Sequence, residues 1–100
     1  MSKTTTVTIQ IDNTDDKLTQ QEWSNFVTSL VDYMHNFNHS VHFTGGSSPE
    51  NPWQNYCVVA TVDEGSIPHL KSTLHGLAVH FNQNSIALTM GPTMFVEGVK

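Results

Sequence analysis

Residues 4–34 are TTTVTIQIDNTDDKLTQQEWSNFVTSLVDYM, and the spacing of their apolar residues changes part-way along this segment. From Thr4 to Ile11 apolar and polar residues alternate, which is the pattern of a half-buried β-strand. From Trp23 to Met34 the apolar residues recur every third or fourth position, which predicts an amphipathic helix of about five turns. The apolar positions are Val7, Ile9 and Ile11 in the strand, and Trp23, Phe26, Val27, Leu30, Val31 and Met34 in the helix.

A capping box predicts where this helix begins. Thr19 is followed three residues later by Glu22, a spacing at which each side chain accepts a hydrogen bond from the other residue's backbone N–H. The polar run Asp12–Lys17 before it is rich in turn-forming residues and ends the strand.

Three further strands are predicted, and they span His39–Thr44, Tyr56–Val62 and Ser85–Met90. Val41 and Phe43 alternate with polar residues in the first of them, so both are expected on one face of the sheet. The run Gly45–Pro52 is expected to be a loop. The valine-rich segment Tyr56–Val62 is apolar enough to be central in its sheet, but its register is ambiguous.

A second helix is predicted to begin at Ser66, whose hydroxyl can cap its N-terminus. Pro68 then falls in the first helical turn, where proline is tolerated. Its apolar stripe consists of Ile67, Leu70, Leu74, Leu77 and Phe81. Gly91–Pro92 ends the fourth strand, and the tail Met94–Val96 has the composition of a short fifth strand.

The predicted element order is βαββαβ within residues 1–100, a length typical of a single domain. Two helices on one face of a four-stranded antiparallel sheet give an α+β domain of the ferredoxin-like architecture. The topology places three polar loops at one end of the domain, namely Asp12–Leu18, Thr44–Asn55 and Asn82–Asn84.

The charge of the chain disfavours nucleic acid as a partner. Nine acidic residues face four lysines, there is no arginine, and the net charge is −5 at pH 7. Nucleic-acid binding depends on basic residues that neutralise phosphates, and an RNA-binding sheet of this topology would also carry stacking aromatic residues. The sheet face opposite the helices instead carries mostly threonine and serine, with His42 among them. The acidic charge suits a protein partner with a basic surface, but a net charge of −5 is also ordinary for solubility alone.

The sequence also indicates the cellular compartment of the protein. Cys57 is the single cysteine, which excludes an internal disulfide and fits a reducing compartment, so we expect a cytoplasmic protein. Neither an apolar leader at the N-terminus nor a membrane-spanning run is recognisable in the sequence, so no membrane association is predicted.

The convergence of the three loops is the main functional lead. Carboxylates lie beside a helix N-terminus there, and an aromatic residue is followed by two amides that can donate and accept hydrogen bonds. The predicted ligand- or partner-binding residues are Asn13, Asp15, Asp16, Lys17, Trp53, Gln54, Asn55, Asn84 and Ser85. Turn formation by Asp and Asn, and the interaction of Asp with the dipole at a helix start, are the more ordinary explanation of these residues.

No catalytic residue, metal site or cofactor is predicted. The six histidines are scattered, with His39 and His42 expected on opposite faces of a strand. The carboxylates Asp12, Asp15 and Asp16 lack the glycine and the distal glutamate of a calcium-binding loop. Neither a nucleophile motif nor a phosphate-binding glycine loop is present.

Three segments of the chain resemble small ferredoxin-like proteins of actinobacteria and their phages. They are Ile11–Trp23, Pro52–Asn55 and Asn84–Ala87. The resemblance implies an accessory protein carried by a phage or another mobile element, and it has no activity to transfer. The absence of arginine departs from actinobacterial relatives and puts the host in question.

The leading hypothesis is a non-enzymatic protein, such as a phage accessory or anti-defence factor, that binds another protein through the loop end. The first alternative is a small enzyme or nucleotide- or small-molecule-binding protein that uses the Asp15, Asp16 and Trp53 loops. The second is a homodimer or larger assembly, built through the sheet or through Met94–Val96.

Overall fold

The computed structural model describes residues 3–15, 17–36, 40–47, 54–92, 94 and 96–98. The elements in chain order are β1 (Thr4–Asp12), α1 (Gln20–Asn36), β2 (Ser40–Gly46), β3 (Asn55–Asp63), a 3₁₀ turn (Glu64–Ser66), α2 (Ile67–His80) and β4 (Ala87–Gly91). The four strands form one sheet in the order β2-β3-β1-β4, with every neighbouring pair antiparallel. The predicted α+β ferredoxin-like fold is therefore confirmed.

The core lies between the helices and one face of the sheet. The central strands contribute alternate residues to it, and each helix contributes one stripe. Its buried members in these strands and helices are Val7, Ile9 and Ile11 in β1, Val58, Ala60 and Val62 in β3, Phe26, Leu30 and Met34 in α1, and Leu70 and Leu74 in α2. The predicted stripes of β1, α1 and α2 are confirmed, and the ambiguous register of β3 is resolved.

Helix α1 begins with the predicted capping box. The backbone N–H of Thr19 donates to Glu22 Oε1 over 2.9 Å, and the backbone N–H of Glu22 donates to Thr19 Oγ1 over 3.1 Å. Hydrogen bonds to the Glu22 carboxyl, first from the backbone of Thr19 and second from its side chain, lower the pKa of that carboxyl below its usual value.

The prediction that the Ser66 hydroxyl caps α2 is wrong. Ser66 occupies the N-cap position, but its backbone is already helical and its side chain makes no capping hydrogen bond. The 3₁₀ turn Glu64–Ser66 leads directly into α2, so the cap geometry with an extended backbone is not reached. Pro68 does lie in the first turn, as predicted.

Strand β2 differs from its prediction because it contains a bulge between Val41 and Phe43. Beyond the bulge Phe43 pairs with Val59, on the face opposite the helices, and Thr44 pairs with Val58 on the helix face. Phe43 is consequently 56% exposed, and does not share the core side with Val41 as expected. One inserted residue in a strand reverses the faces of the residues that follow it.

The predicted loop Gly45–Pro52 begins later than expected, because Gly45 and Gly46 are the last residues of β2. Gly46 pairs with Tyr56, and a Cβ at Gly46 would overlap the carbonyl oxygen of Asn55. Glycine is required here by the close approach of the two backbones.

The fifth strand expected at Met94–Val96 is not formed by Met94 or Val96, and Phe95 lies outside the described residues. Within the described part of the chain, no helix is long and apolar enough to cross a membrane.

Candidate functional site

The strand registers place the predicted loops at one end of the domain. Asp12, at the end of β1, pairs with Asn55 at the start of β3, and Gln10 pairs with Ala87 at the start of β4. The described residues that directly follow β1 and those that directly precede β3 and β4 therefore lie at the same end of the sheet, as the topology predicts.

Asn13 lies inside this end of the domain and is only 1% exposed. Its Oδ1 accepts a hydrogen bond from the backbone N–H of Leu18 over 3.0 Å, and its Nδ2 donates to the Leu18 carbonyl oxygen over 3.1 Å. The same Nδ2 donates to Gln54 Oε1 over 3.0 Å, and the Asn13 backbone N–H donates to the Gln54 carbonyl oxygen over 2.9 Å. Asn13 thus closes the β1–α1 loop and ties it to the residue before β3.

Gln54 is also buried and continues this network to α1. Its Nε2 donates to Gln20 Oε1 over 2.8 Å, and Gln20 Nε2 donates to Gln54 Oε1 over 3.2 Å. Buried amides gain most when each polar atom has a partner, and here the partners lie within the fold. The network therefore explains why both amides are present without a ligand.

Three other predicted residues lie on the surface of the loop end. Lys17 Nζ lies 3.8 Å from Asp15 Oδ2, and the Lys17 backbone N–H donates to Asp15 Oδ1 over 3.3 Å. The Asn55 backbone N–H donates to Ser47 Oγ over 3.1 Å. Exposed ion pairs of this kind contribute little to stability and leave the charges available to a partner. Asp16 and Trp53 lie outside the described residues.

Asn84 and Ser85 lie apart from these groups, in a groove between α2 and β4. The half of this α2–β4 groove nearer to the loop end, called its upper half, has a volume of about 460 Å³. Its lining combines cationic, polar and apolar side chains. The lining residues are Lys71, Leu74, His75, Ala78, Asn84, Ser85, Ile86, Leu88 and Met90.

A second depression of about 610 Å³ continues along the same seam toward the start of α2. It is lined by Thr4, Thr5, Glu64, Ile67, Pro68, Met90, Gly91 and Pro92. Met90 lines both halves, so the α2–β4 groove follows β4 from the loop end to Pro92. Met90 is itself an exposed large apolar residue.

The turn after α2 positions Asn84 and Ser85 at the upper end of the groove. Asn82 has a φ of 55°, and its N–H donates to the Val79 carbonyl oxygen over 3.2 Å. The N–H of Gln83 donates to the Ala78 carbonyl oxygen over 2.8 Å. This pair of hydrogen bonds is a Schellman motif in which asparagine takes the left-handed position that glycine usually occupies.

Sequence reasoning identified Asn84 and Ser85 but not the helix wall opposite them. Lys71 and His75 are four residues apart on α2 and both line the groove. That spacing places them on one helix face, and it was the signal that could have identified them.

The described residues contain no group of three or more His, Cys, Asp or Glu side chains that could hold a metal ion. His39 and Asp16 lie outside those residues. Among the described carboxylates, the pKa of Glu22 is lowered, and its cause is helix capping at the protein surface.

Comparison with known proteins gave no match to a family model, to a curated protein or to a solved structure. The resemblance of Ile11–Trp23 and the other two segments to proteins of actinobacteria and their phages therefore stays a prediction.

Proposed function

We propose that this chain is a non-enzymatic binding protein that takes up an extended segment of a partner protein along β4, in the α2–β4 groove. The observation that carries the proposal is the position of β4, which is the last strand in the order β2-β3-β1-β4 and borders a groove whose other wall is a helix. A helix beside an edge strand is an arrangement in which peptides bind as an added strand.

The backbone of β4 can supply the main-chain hydrogen bonds. β4 pairs with β1 on one side, and it pairs with no other strand of the described chain. The outer edge of such a strand presents N–H and C=O groups that an extended peptide can satisfy. These hydrogen bonds give affinity that does not depend on the peptide sequence.

The side chains of the groove can supply specificity. Leu88 and Met90 pair with Ile9 and Val7, which face the helices, so they lie on the groove side of β4. An added strand would therefore direct every second side chain into the groove. Its walls there include Leu74 and the half-buried Ile86 and Leu88, which favours apolar residues at those alternate positions.

The charge of the groove favours an acidic residue in the partner segment. Lys71 and His75 line its upper half, whereas Glu64 lines its lower half. Lys71 is one of only four lysines in a chain of net charge −5. A carboxylate in the bound segment would therefore be expected at the end nearer to Asn84.

The test is a selection of displayed random peptides on the full chain, followed by amide chemical-shift mapping with the enriched peptides. We expect alternating apolar residues with one acidic residue, and shifts concentrated in 71–78 and 84–91. Lys71→Glu should weaken binding about tenfold, while Lys17→Glu makes the same charge change at the loop end and should not.

Shifts confined to Asp15, Lys17 and Asn55 would contradict the groove and support the loop end as the binding surface. Selected peptides that bind Lys71→Glu as tightly as the wild-type chain would also contradict the proposal.

A further inference from the structure

We infer that the C-terminal segment Met94–Glu97 of a second copy is an occupant of the α2–β4 groove, so that two copies pair by exchanging their tails. This inference rests on the proposed function and adds to it a partner that competes with any foreign segment.

The tail has the pattern that the groove favours. Met94 is 84% exposed and Val96 is 88% exposed, so these two large apolar residues do not pack on their own domain. They are two positions apart, which places them on the same side of an extended segment. Glu97 follows directly. By the same alternation its side chain lies on the other side of the segment, so it contributes negative charge beside Lys71 and His75 and not a side chain within the groove.

Gly91 and Pro92, at the end of β4, do not provide a tight turn that would return the tail to its own groove. A tight hairpin back along β4 would need a turn with positive φ at one or both central residues. Gly91 is still in β4, and neither it nor any other described glycine has a positive φ. Pro92 keeps the residue before it extended. Neither Gly91 nor Pro92 can therefore be the first central residue of such a turn, which favours the groove of a second copy.

The tail is long enough to reach that groove. The six residues Pro92–Glu97 span at most about 20 Å when fully extended. The five residues of β4 span about 17 Å. Two residues can cross between the copies, and four can lie along the partner strand. Because both copies carry a net charge of −5, their repulsion keeps the association weak enough for another segment to displace the tail.

The first experiment measures the mass of the full chain in solution by sedimentation over a wide range of concentrations. We expect the wild-type mass to rise from one chain toward two. The double variant Met94→Asp/Val96→Asp should require about a hundredfold higher concentration to associate, because two apolar side chains lose their burial. Val79→Asp is the matched control, since Val79 is also exposed but does not line the groove.

The second experiment measures binding of a labelled peptide of residues 93–100 to the full-length double variant, whose own tail no longer competes. We expect saturable binding that Lys71→Glu, added to that receptor, weakens.

Equal association of the wild-type chain and the double variant would overturn the inference, as would failure of the labelled peptide to bind. If the selected random peptides bind the groove and the tail peptide does not, the tail inference fails and the proposed function stands. If neither binds, both fail. A wild-type chain that stays at the mass of one copy at every concentration would also overturn the exchange of tails.

Discussion

Asn13 and Gln54 are both buried, and the Nδ2 of Asn13 donates to the Oε1 of Gln54 over 3.0 Å, which joins two loops that are 41 positions apart in the chain. Strands β1 and β3 pair along their whole length, and this amide contact extends their connection past the end of the sheet.

We expect Asn13→Ala to destabilise the domain by about 2 to 3 kcal/mol, because buried polar groups of Leu18 and Gln54 lose their partner. For a domain of this size, that loss lowers the thermal midpoint by roughly 10 to 20 °C. Asn13→Asp should cost at least as much, since a carboxylate cannot donate to Leu18 or Gln54. Calorimetry measures both, with Asn25→Ala on the exposed face of α1 as the control. A change within the error of the control would show that the network is not structural.

The capping box gives a pH dependence whose direction is fixed. The pKa of Glu22 is lower in the folded chain than its usual value. Its contribution to the free energy of unfolding is therefore present above the unfolded pKa and is lost as the pH falls through the folded pKa. Wild-type chain should therefore be more stable than Glu22→Gln near neutral pH, and the difference should shrink below about pH 4. Thermal midpoints measured over a pH series check this, with Glu64→Gln controlling for net charge. A difference that is constant across the series would contradict it.

The left-handed residue after α2 predicts unequal effects for two small substitutions. Asn82 has a φ of 55°, so Asn82→Ala should destabilise the domain by about 1 kcal/mol, whereas Asn82→Gly should change its stability by less than about 0.5 kcal/mol. Denaturant unfolding of both variants measures the difference. Equal effects would mean that the turn relaxes to another conformation.

The two adjacent glycines of β2 should respond differently to alanine. At Gly46 a Cβ would overlap the carbonyl oxygen of Asn55 and approach the Tyr56 Cα to 2.9 Å, both of which belong to the backbone of the neighbouring strand. Gly46→Ala should therefore cost about 2 kcal/mol or more, because the strands must separate.

Gly45→Ala is its matched control. A Cβ there would meet the ring of Phe43, the nearest atom at 2.7 Å. That ring lies on the exposed face and can rotate away, so a cost below about 1 kcal/mol is expected. Similar unfolding free energies for the two variants would contradict the close approach at Gly46.

Periodicity predicted most of this fold because the buried positions of β1, α1 and α2 repeat at the spacing of a strand or a helix. It failed at β2, where the inserted residue near His42 moves Phe43 to the outer face of the sheet. The alternating pattern could not show this, because it is the same whichever face of the strand is buried. It also failed at Gly45 and Gly46, which have the composition of a turn but are held in the sheet by their closeness to β3.

The candidate site was predictable only in part. Topology gathered Asn13, Gln54 and the other loop residues at one end, but composition could not show that these two amides point inward. The α2–β4 groove depends on the space between two elements distant in sequence, so Asn84 and Ser85 indicated its end without indicating Lys71 opposite.

The bulge in β2 also has a bearing on how far self-association can proceed. A sheet has two outer strands, and growth into a fibre requires both of them to accept a neighbour. Here the edge strand β2 is interrupted by the bulge between Val41 and Phe43, while the other edge strand, β4, is regular and borders the α2–β4 groove. We therefore expect pairing to stop at a closed, finite assembly. Such an assembly would not grow into a polymer.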